Sequence, residues 1–199
     1  ALDERIRSTY VAAGASDHAK SLYDSYIRAI RWASDRIGDA GIIGFVTNAS
    51  FIEASSSDGL RKCLAEEFSD IYAFHLRGNQ RTSGELSRKE GGKVFGSGSR
   101  APIAISLLVK NPNASQHGRI FFHDIGDYLS REEKLEKIAD YNSVAGIQKW
   151  QVINPDGHGD WLRQRDSSLA NFISIGSKKG ADLALFESFS SGAETRRDA

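Results

Sequence analysis

The chain has 199 residues, with 26 Lys and Arg against 26 Asp and Glu, 40% hydrophobic residues and 10% aromatic ones. This is the composition of a folded domain and excludes a disordered tail. The balanced charge gives no global sign of a nucleic-acid or membrane partner, so any such sign must be local. The single cysteine, Cys63, rules out an internal disulfide framework and fits a reducing compartment, with the cytoplasm expected. No run of about eighteen apolar residues occurs and no charged-then-apolar leader pattern opens the chain, so neither a membrane span nor a secretory signal is expected. There is no methionine at all, and the chain is expected to be a piece of a longer protein.

After a lead-in over 1–19, "KSLYDSYIRAIRWASDRIG" (20–38) sets Leu22, Tyr26, Ile30, Ala33 and Ile37 at helical spacing, with Gly38 as the stop. "GIIGFVTNASFI" (41–52) is a continuous apolar run that predicts a strand buried on both faces, as in a parallel sheet. "SSSDGLRKCLAEEF" (55–68) offers serine caps and the spacing Leu60, Leu64, Phe68 for a short helix, followed by a strand over 71–76. Helix, strand, helix, strand is half of a doubly wound sheet. Two further strands are predicted in "PIAISLLVK" (102–110) and "GRIFFHDI" (118–125), and the short loop between them suits antiparallel pairing. "SREEKLEKIADY" (130–141) carries a capping box, Ser130 with Glu133, and turns Leu135, Ile138 and Ala139 inward. From Lys149 the periodicity loosens. The expected fold is α/β: a core over 20–128 with a mixed sheet and antiparallel edge strands, then a less regular extension over 129–199.

The local charge signal lies between Leu76 and Arg100. Arg77, Arg81, Arg88, Lys89, Lys93 and Arg100 stand there against Glu85 and Glu90, in a segment carrying six glycines, Gly78, Gly84, Gly91, Gly92, Gly96 and Gly98. Within it, "GGKVFGSGSR" places a lone aromatic, Phe95, among glycines and serines. "SRKEGGKV" has Ser87 where a P-loop needs its first glycine and Val94 where it needs a hydroxyl, and "GSGSR" leads into a strand rather than opening a helix, so neither reads as a phosphate cradle. The five histidines never fall at metal-binding spacing and no second cysteine exists, so no metal site is expected. "HGDW" (158–161) reads either as a hydrogen-bonded turn or as a site.

Taken in order, "SLYDSYIRAIRWASDRIGDAGIIGFVTNASFI", "DIYAFHLRGN" and "GGKVFGSGSRAPIAISLLVK" resemble the downstream half of the catalytic domain of adenine-specific DNA methyltransferases. "FFHDIGDYLSREEKLEKI" and "HGDWLRQRD" look like a stretch of the large single-chain enzymes that fuse a restriction helicase to such a methyltransferase. The resemblance covers residues 20–165, and "SSGAETRRDA" fits a linker toward a DNA-recognition part. It implies a Rossmann-like sheet, S-adenosylmethionine as the parent enzyme's cofactor, and methyl transfer to the exocyclic amine of a flipped adenine in DNA.

The family's Asn/Asp-Pro-Pro-aromatic motif needs adjacent prolines, and Pro102, Pro112 and Pro155 are each isolated. The family's glycine-bearing cofactor turn is missing as well. The resemblance therefore implies half a catalytic domain without catalytic residues, inactive alone and holding no cofactor tightly; its partners are DNA and the parent's other domains. Phe95 matches the aromatic that stacks on the extruded base, or else folds back to anchor the loop on the sheet edge. Tyr26 matches an aromatic near the cofactor's adenine, or belongs to the helix's core stripe. Asn48, at a strand's carboxyl end, is a further cofactor-proximal candidate, or a turn cap. The six basic residues are candidates for DNA phosphates. The alternative is a non-catalytic DNA-binding or coupling module of a helicase-containing restriction enzyme.

Overall fold

The structure is a computed structural model that describes residues 1–15, 19–96, 98–166, 168, 171–176 and 183–186. The chain divides into two compact units, Ala1–Gln164 and Arg165–Ala199. The first unit holds strands β1 (Gly41–Asn48), β2 (Asp70–Arg77), β3 (Ile103–Lys110), β4 (Arg119–Asp124) and β5 (Gln151–Ile153). They form one mixed sheet in the order β1-β3-β2-β4-β5. Only β2 and β4 pair in parallel; β1 against β3 and β5 against β4 make antiparallel edges. The α/β class and the antiparallel edges are as the sequence predicts.

Helices α1 (Leu2–Ile6, continued by a π-helical stretch Arg7–Val11), α2 (Ser25–Ser34) and α4 (Asp58–Glu67) supply most of the core on one face of this sheet. Ile6, Tyr10, Ile27, Leu60, Leu64 and Phe68 are all fully buried there, beside Ile71, Ala73 and Ala104 of the strands. Each such side chain contributes about 1.5–3 kcal/mol by leaving water, so the Leu60, Leu64, Phe68 stripe explains why this helix docks. On the other face α6 (Arg131–Tyr141) brings Ile138 and Tyr141 against a smaller core of Phe74, Leu76, Val94, Ile103, Ile125 and Ile147. Two short helices, α3 (Ser50–Glu53) and α5 (Gly84–Glu90), follow β1 and β2 respectively.

Five expectations are corrected. β1 is an edge strand rather than one buried on both faces: Ile42 and Val46 are 68% and 53% exposed, and among the described residues only β3 pairs with it. β3 and β4 do run in opposite directions, but β2 lies between them. Their loop passes the amino end of β2, where Gly118 N–H donates to Phe68 O (2.9 Å) and Arg119 N–H to Ser69 O (3.1 Å). It needs to span only two strand spacings, about 10 Å. The helix expected over 20–38 is broken at Asp24, whose extended backbone separates a 3-10 turn (Ala19–Tyr23) from α2. Ser57 occupies the N-cap of α4 without a capping side-chain hydrogen bond. On α6 the capping box of Ser130 and Glu133 is present, but Leu135 and Ala139 face water and Lys134 is fully buried instead. The reason is the loop over 90–94, whose carbonyls Lys134 meets.

The second unit contains β6 (Ser174–Gly176) and β7 (Ala184–Phe186), which pair in parallel. The "SSGAETRRDA" stretch read as a linker lies outside the described residues. No helix among the described residues is long and apolar enough to cross a membrane.

Candidate nucleic-acid interface

Strand direction gathers the basic segment at one rim. Asn48 and Arg77 both sit opposite Ile103, and His75 sits opposite Asp124. The carboxyl ends of β1, β2 and β4 and the start of β3 therefore share one edge, the edge at which open α/β sheets present ligands. A cleft of about 310 Å³ opens there between α3 and α5, lined among others by Ser50, Glu53, His75, Asn79, Glu90 and Arg163.

The candidate cations divide into two groups. Arg77, in the left-handed region (φ 56°), turns its guanidinium back onto the sheet: its Nε lies 2.8 Å from Asp124 Oδ1 and its Nη1 lies 2.5 Å from Asp127. Burial pushes the Asp124 carboxyl up, but hydrogen bonds from His75, Arg77 and the Gly126 N–H, with the Arg77 charge, outweigh it and hold the group at about 2. Lys89 is 4.0 Å from Asp127, and exposed Arg88 is 3.2 Å from Glu85. Arg81 and Arg100 are exposed and Lys93 half-buried; none of these three makes an ion pair among the described residues, and Arg100 donates to Gln80 O (2.9 Å).

Asn48 Oδ1 accepts from the Ser50 N–H (2.9 Å) and the Ser50 hydroxyl (2.7 Å), which caps the turn into α3. Tyr26 is half-buried with its ring 6.4 Å from that of Phe51, and burial raises its hydroxyl pKa. Neither side chain reaches out as a ligand-binding arm. Together with the missing glycine turn, this donor set does not fit a complete S-adenosylmethionine site. Burial pushes the Cys63 thiol up to about 11, so it is not a poised nucleophile. Among the described residues no group of three or more His, Cys, Asp or Glu is placed to hold a metal.

The loop before β3 changes character between two neighbouring residues. Val94 is 6% exposed and belongs to the second core; Phe95 is 48% exposed, and an added Cβ at Gly96 or Gly98 would meet nothing within 4 Å. Val94, not Phe95, is the loop's anchor.

Upstream of Val94 the backbone is held from α6 and the residues before it. Lys134 Nζ donates to Glu90 O and Gly92 O, both at 2.7 Å, and Arg131 Nε donates to Val94 O at 3.0 Å. Gly92 N–H donates to Leu129 O at 2.9 Å. The approach is so close that a Cβ on Gly91 would lie 2.1 Å from Leu129 O and one on Gly92 2.5 Å from Arg131 N. Burial pulls the Lys134 ammonium down to about 8. This explains the corrected face of α6: the loop's carbonyls need a donor, and a lysine supplies it where a leucine could not. Sequence reasoning missed Lys134 and Arg131. The one available signal was the pair Gly91-Gly92, which marks a close backbone approach.

The "HGDW" stretch is structural. Asp156 Oδ1 accepts from His158 N–H (2.9 Å) and Asp160 N–H (2.8 Å), closing a turn. Fully buried Arg61 fixes that turn to α3, donating to Gly159 O (2.8 Å), Phe51 O (2.8 Å), Ala54 O (2.7 Å) and the Asp160 carboxylate.

Three solved structures share this fold at substantial identity. LlaGI, a Type ISP restriction-modification enzyme solved as a nuclease-deletion mutant with a DNA substrate mimic, is 47% identical over 94% of this chain, with a TM-score of 0.85. The chain is similar to a segment of Type ISP restriction-modification enzymes. LlaBIII, an ATP-dependent Type ISP enzyme bound to DNA, is 42% identical over 93% of the chain (TM-score 0.87), and the DrdV–DNA complex is 34% identical over 93% (TM-score 0.81). The chain spans 17%, 12% and 18% of those three polypeptides. No protein-family model and no curated protein matches it.

Proposed function

We propose that this chain is the downstream half of an adenine-specific DNA methyltransferase domain within a large cytoplasmic restriction-modification enzyme carrying a helicase. In this reading the enzyme flips an adenine out of DNA and methylates its exocyclic amine from S-adenosylmethionine. The cofactor and the catalytic motif are held by other parts of the polypeptide; this chain alone is inactive and binds no cofactor tightly.

The observation that carries the proposal is the half-exposed Phe95 beside a buried Val94, on a basic rim of a fold 47% identical to a Type ISP enzyme solved with a DNA substrate mimic. Flipping a base costs a few kcal/mol of unstacking, and an aromatic platform returns about 1–3 kcal/mol of it. Arg81, Lys93 and Arg100 are the cations best placed for DNA phosphates, because Arg77 and Lys89 face carboxylates and Arg88 faces Glu85. The open edge of β1, with Ile42 and Val46 exposed on one face, supports the reading that further strands of the sheet come from elsewhere in the enzyme.

The deciding experiment is Phe95→Ala in the full-length enzyme. Methylation falls by about tenfold or more, the equivalent of 1.4 kcal/mol or more of lost stacking, while DNA affinity holds within about twofold. Uniform loss of DNA binding would instead favour a non-catalytic coupling module.

A further inference from the structure

The geometry points to Lys134 and Arg131 as positioning residues that hold the base of the 90–96 loop rigid, so that Phe95 is presented at a fixed place on the rim. This rests on the reading of Phe95 as the base-stacking aromatic, but the clamp is observed independently of it.

Four contacts define the clamp. The Lys134 ammonium bridges the carbonyls of Glu90 and Gly92, Arg131 holds the Val94 carbonyl, and the Leu129 carbonyl takes the Gly92 N–H. A fifth hydrogen bond runs from Gly78 N–H to Glu90 O (3.1 Å), which ties the same base to the end of β2. These contacts end at Val94. Beyond it Phe95 is half exposed and the space around Gly96 is open.

A lysine wholly withdrawn from water is uncommon unless its donors are used, and here they fall on the backbone of this loop. Ordering a free loop tip each time a base arrives costs conformational entropy, and a fixed stem confines that cost to the tip. The placement of α6 also accounts for its sequence. Its capping box starts the helix at Ser130, which sets Arg131 in its first turn and Lys134 one turn later on the side facing the loop. The clamp thus needs the helix start and the glycine pair in register, and Gly91 and Gly92 are the positions where any side chain would collide with the backbone of residues 129–131.

The test uses Arg131→Ala and Arg131→Lys in the full-length enzyme, with two readouts. Arg131 is exposed, so its removal leaves a folded protein. In Arg131→Ala, amide exchange at hydrogen-bonded Gly92 and buried Val94 is expected to rise by about tenfold while β2 and β3 stay protected. The maximal methylation rate should fall by about tenfold with DNA affinity kept within about twofold, because the loss is one of placement rather than attraction. Arg131→Lys, which keeps an N–H donor at this position, is expected to restore both to within about twofold of wild type.

Unchanged exchange at Gly92 and Val94 in Arg131→Ala, or an equal rise throughout the sheet, overturns the clamp. A raised loop exchange with an unaltered methylation rate overturns its positioning role. If the wild-type enzyme methylates no DNA, the function proposed above fails and the positioning role fails with it, whereas the exchange result still decides whether the clamp exists.

Discussion

Arg61 and Lys134 use the same chemistry to different ends. Both are fully buried cations whose N–H groups donate to backbone carbonyls. Arg61 joins segments more than a hundred residues apart, since it grips Phe51 and Ala54 on one side and Gly159 and Asp160 on the other. Lys134 holds a single loop from below and stops short of its tip. A planar guanidinium can serve several acceptors in a fixed fork, which suits a permanent joint. An ammonium on a flexible stem reaches two carbonyls two residues apart in one loop. The first arrangement fixes the fold and the second gives the fold an edge that can meet a partner.

The sharpest way to break that comparison is Arg61→Met. It removes the ion-pair partner of the Asp160 carboxylate and a side-chain donor to three carbonyls, and removal of one partner of a buried ion pair costs on the order of 3–5 kcal/mol. Urea unfolding is expected to show a loss of this size; a loss below about 1 kcal/mol would mean that Arg61 is no joint at all.

Next in size is a pair of glycine changes in one loop. Gly91→Ala puts a Cβ 2.1 Å from Leu129 O at a positive φ of 66°, and strain of that kind costs on the order of 1–3 kcal/mol. Gly96→Ala meets open space and stays within about 0.5 kcal/mol of wild type. Equal effects in thermal unfolding would erase the distinction between stem and tip. The same boundary is sharpened by Val94→Ala against Phe95→Ala. The first empties a core position at a cost of about 1–2 kcal/mol, while the second removes a half-exposed ring at a cost of less than about 0.5 kcal/mol.

Much of the fold was legible in local pattern. The Leu60, Leu64, Phe68 stripe, the strand over 71–76 and the capping box at Ser130 are contacts over short sequence distances, and they stand where the sequence puts them. What failed depended on long-range partners. The run "GIIGFV" has the composition of a strand covered on both faces, and it cannot say that among the described residues the covering is present on one face only. Loop length gave β3 and β4 their directions but not the strand between them. The candidate site was partly legible: the basic, glycine-rich loop and its lone Phe95 were visible, and the cleft at that rim follows from strand direction. Lys134 was hidden because a lysine in a helix reads as solvated surface, and only the carbonyls of a loop over forty residues away make it an inward residue. Arg77 reads as a candidate for DNA phosphates, and its pairing was hidden for the converse reason, since Asp124 and Asp127 lie some fifty residues on in sequence.

A last expected effect concerns that Arg77 cluster, and its sign follows from linkage. Asp124 is held at about 2 in the folded chain against 3.8 ordinarily. As pH falls the unfolded carboxyl takes up its proton first, so between these values the unfolded state binds more protons and stability drops with pH. The contribution is fully present above the unfolded value and is gone once pH passes below about 2. Lys134 works at the other end: its folded value of about 8 lies below the ordinary 10.5, so the unfolded state binds more protons above about pH 8 and stability rises there with pH. The neutral amine keeps two N–H groups, enough for the two carbonyls of Glu90 and Gly92, so the stem stays clamped as the charge is lost. Asp124→Asn should therefore flatten the acid limb of the stability profile and leave the alkaline limb in place, because burial is the largest influence on Lys134 and Asp124 a lesser one. Lys134→Met should do the reverse, in both cases by at most about one proton in slope. Unfolding titrations in which both variants flatten the same limb would show that the Arg77 cluster and the loop stem titrate as one unit.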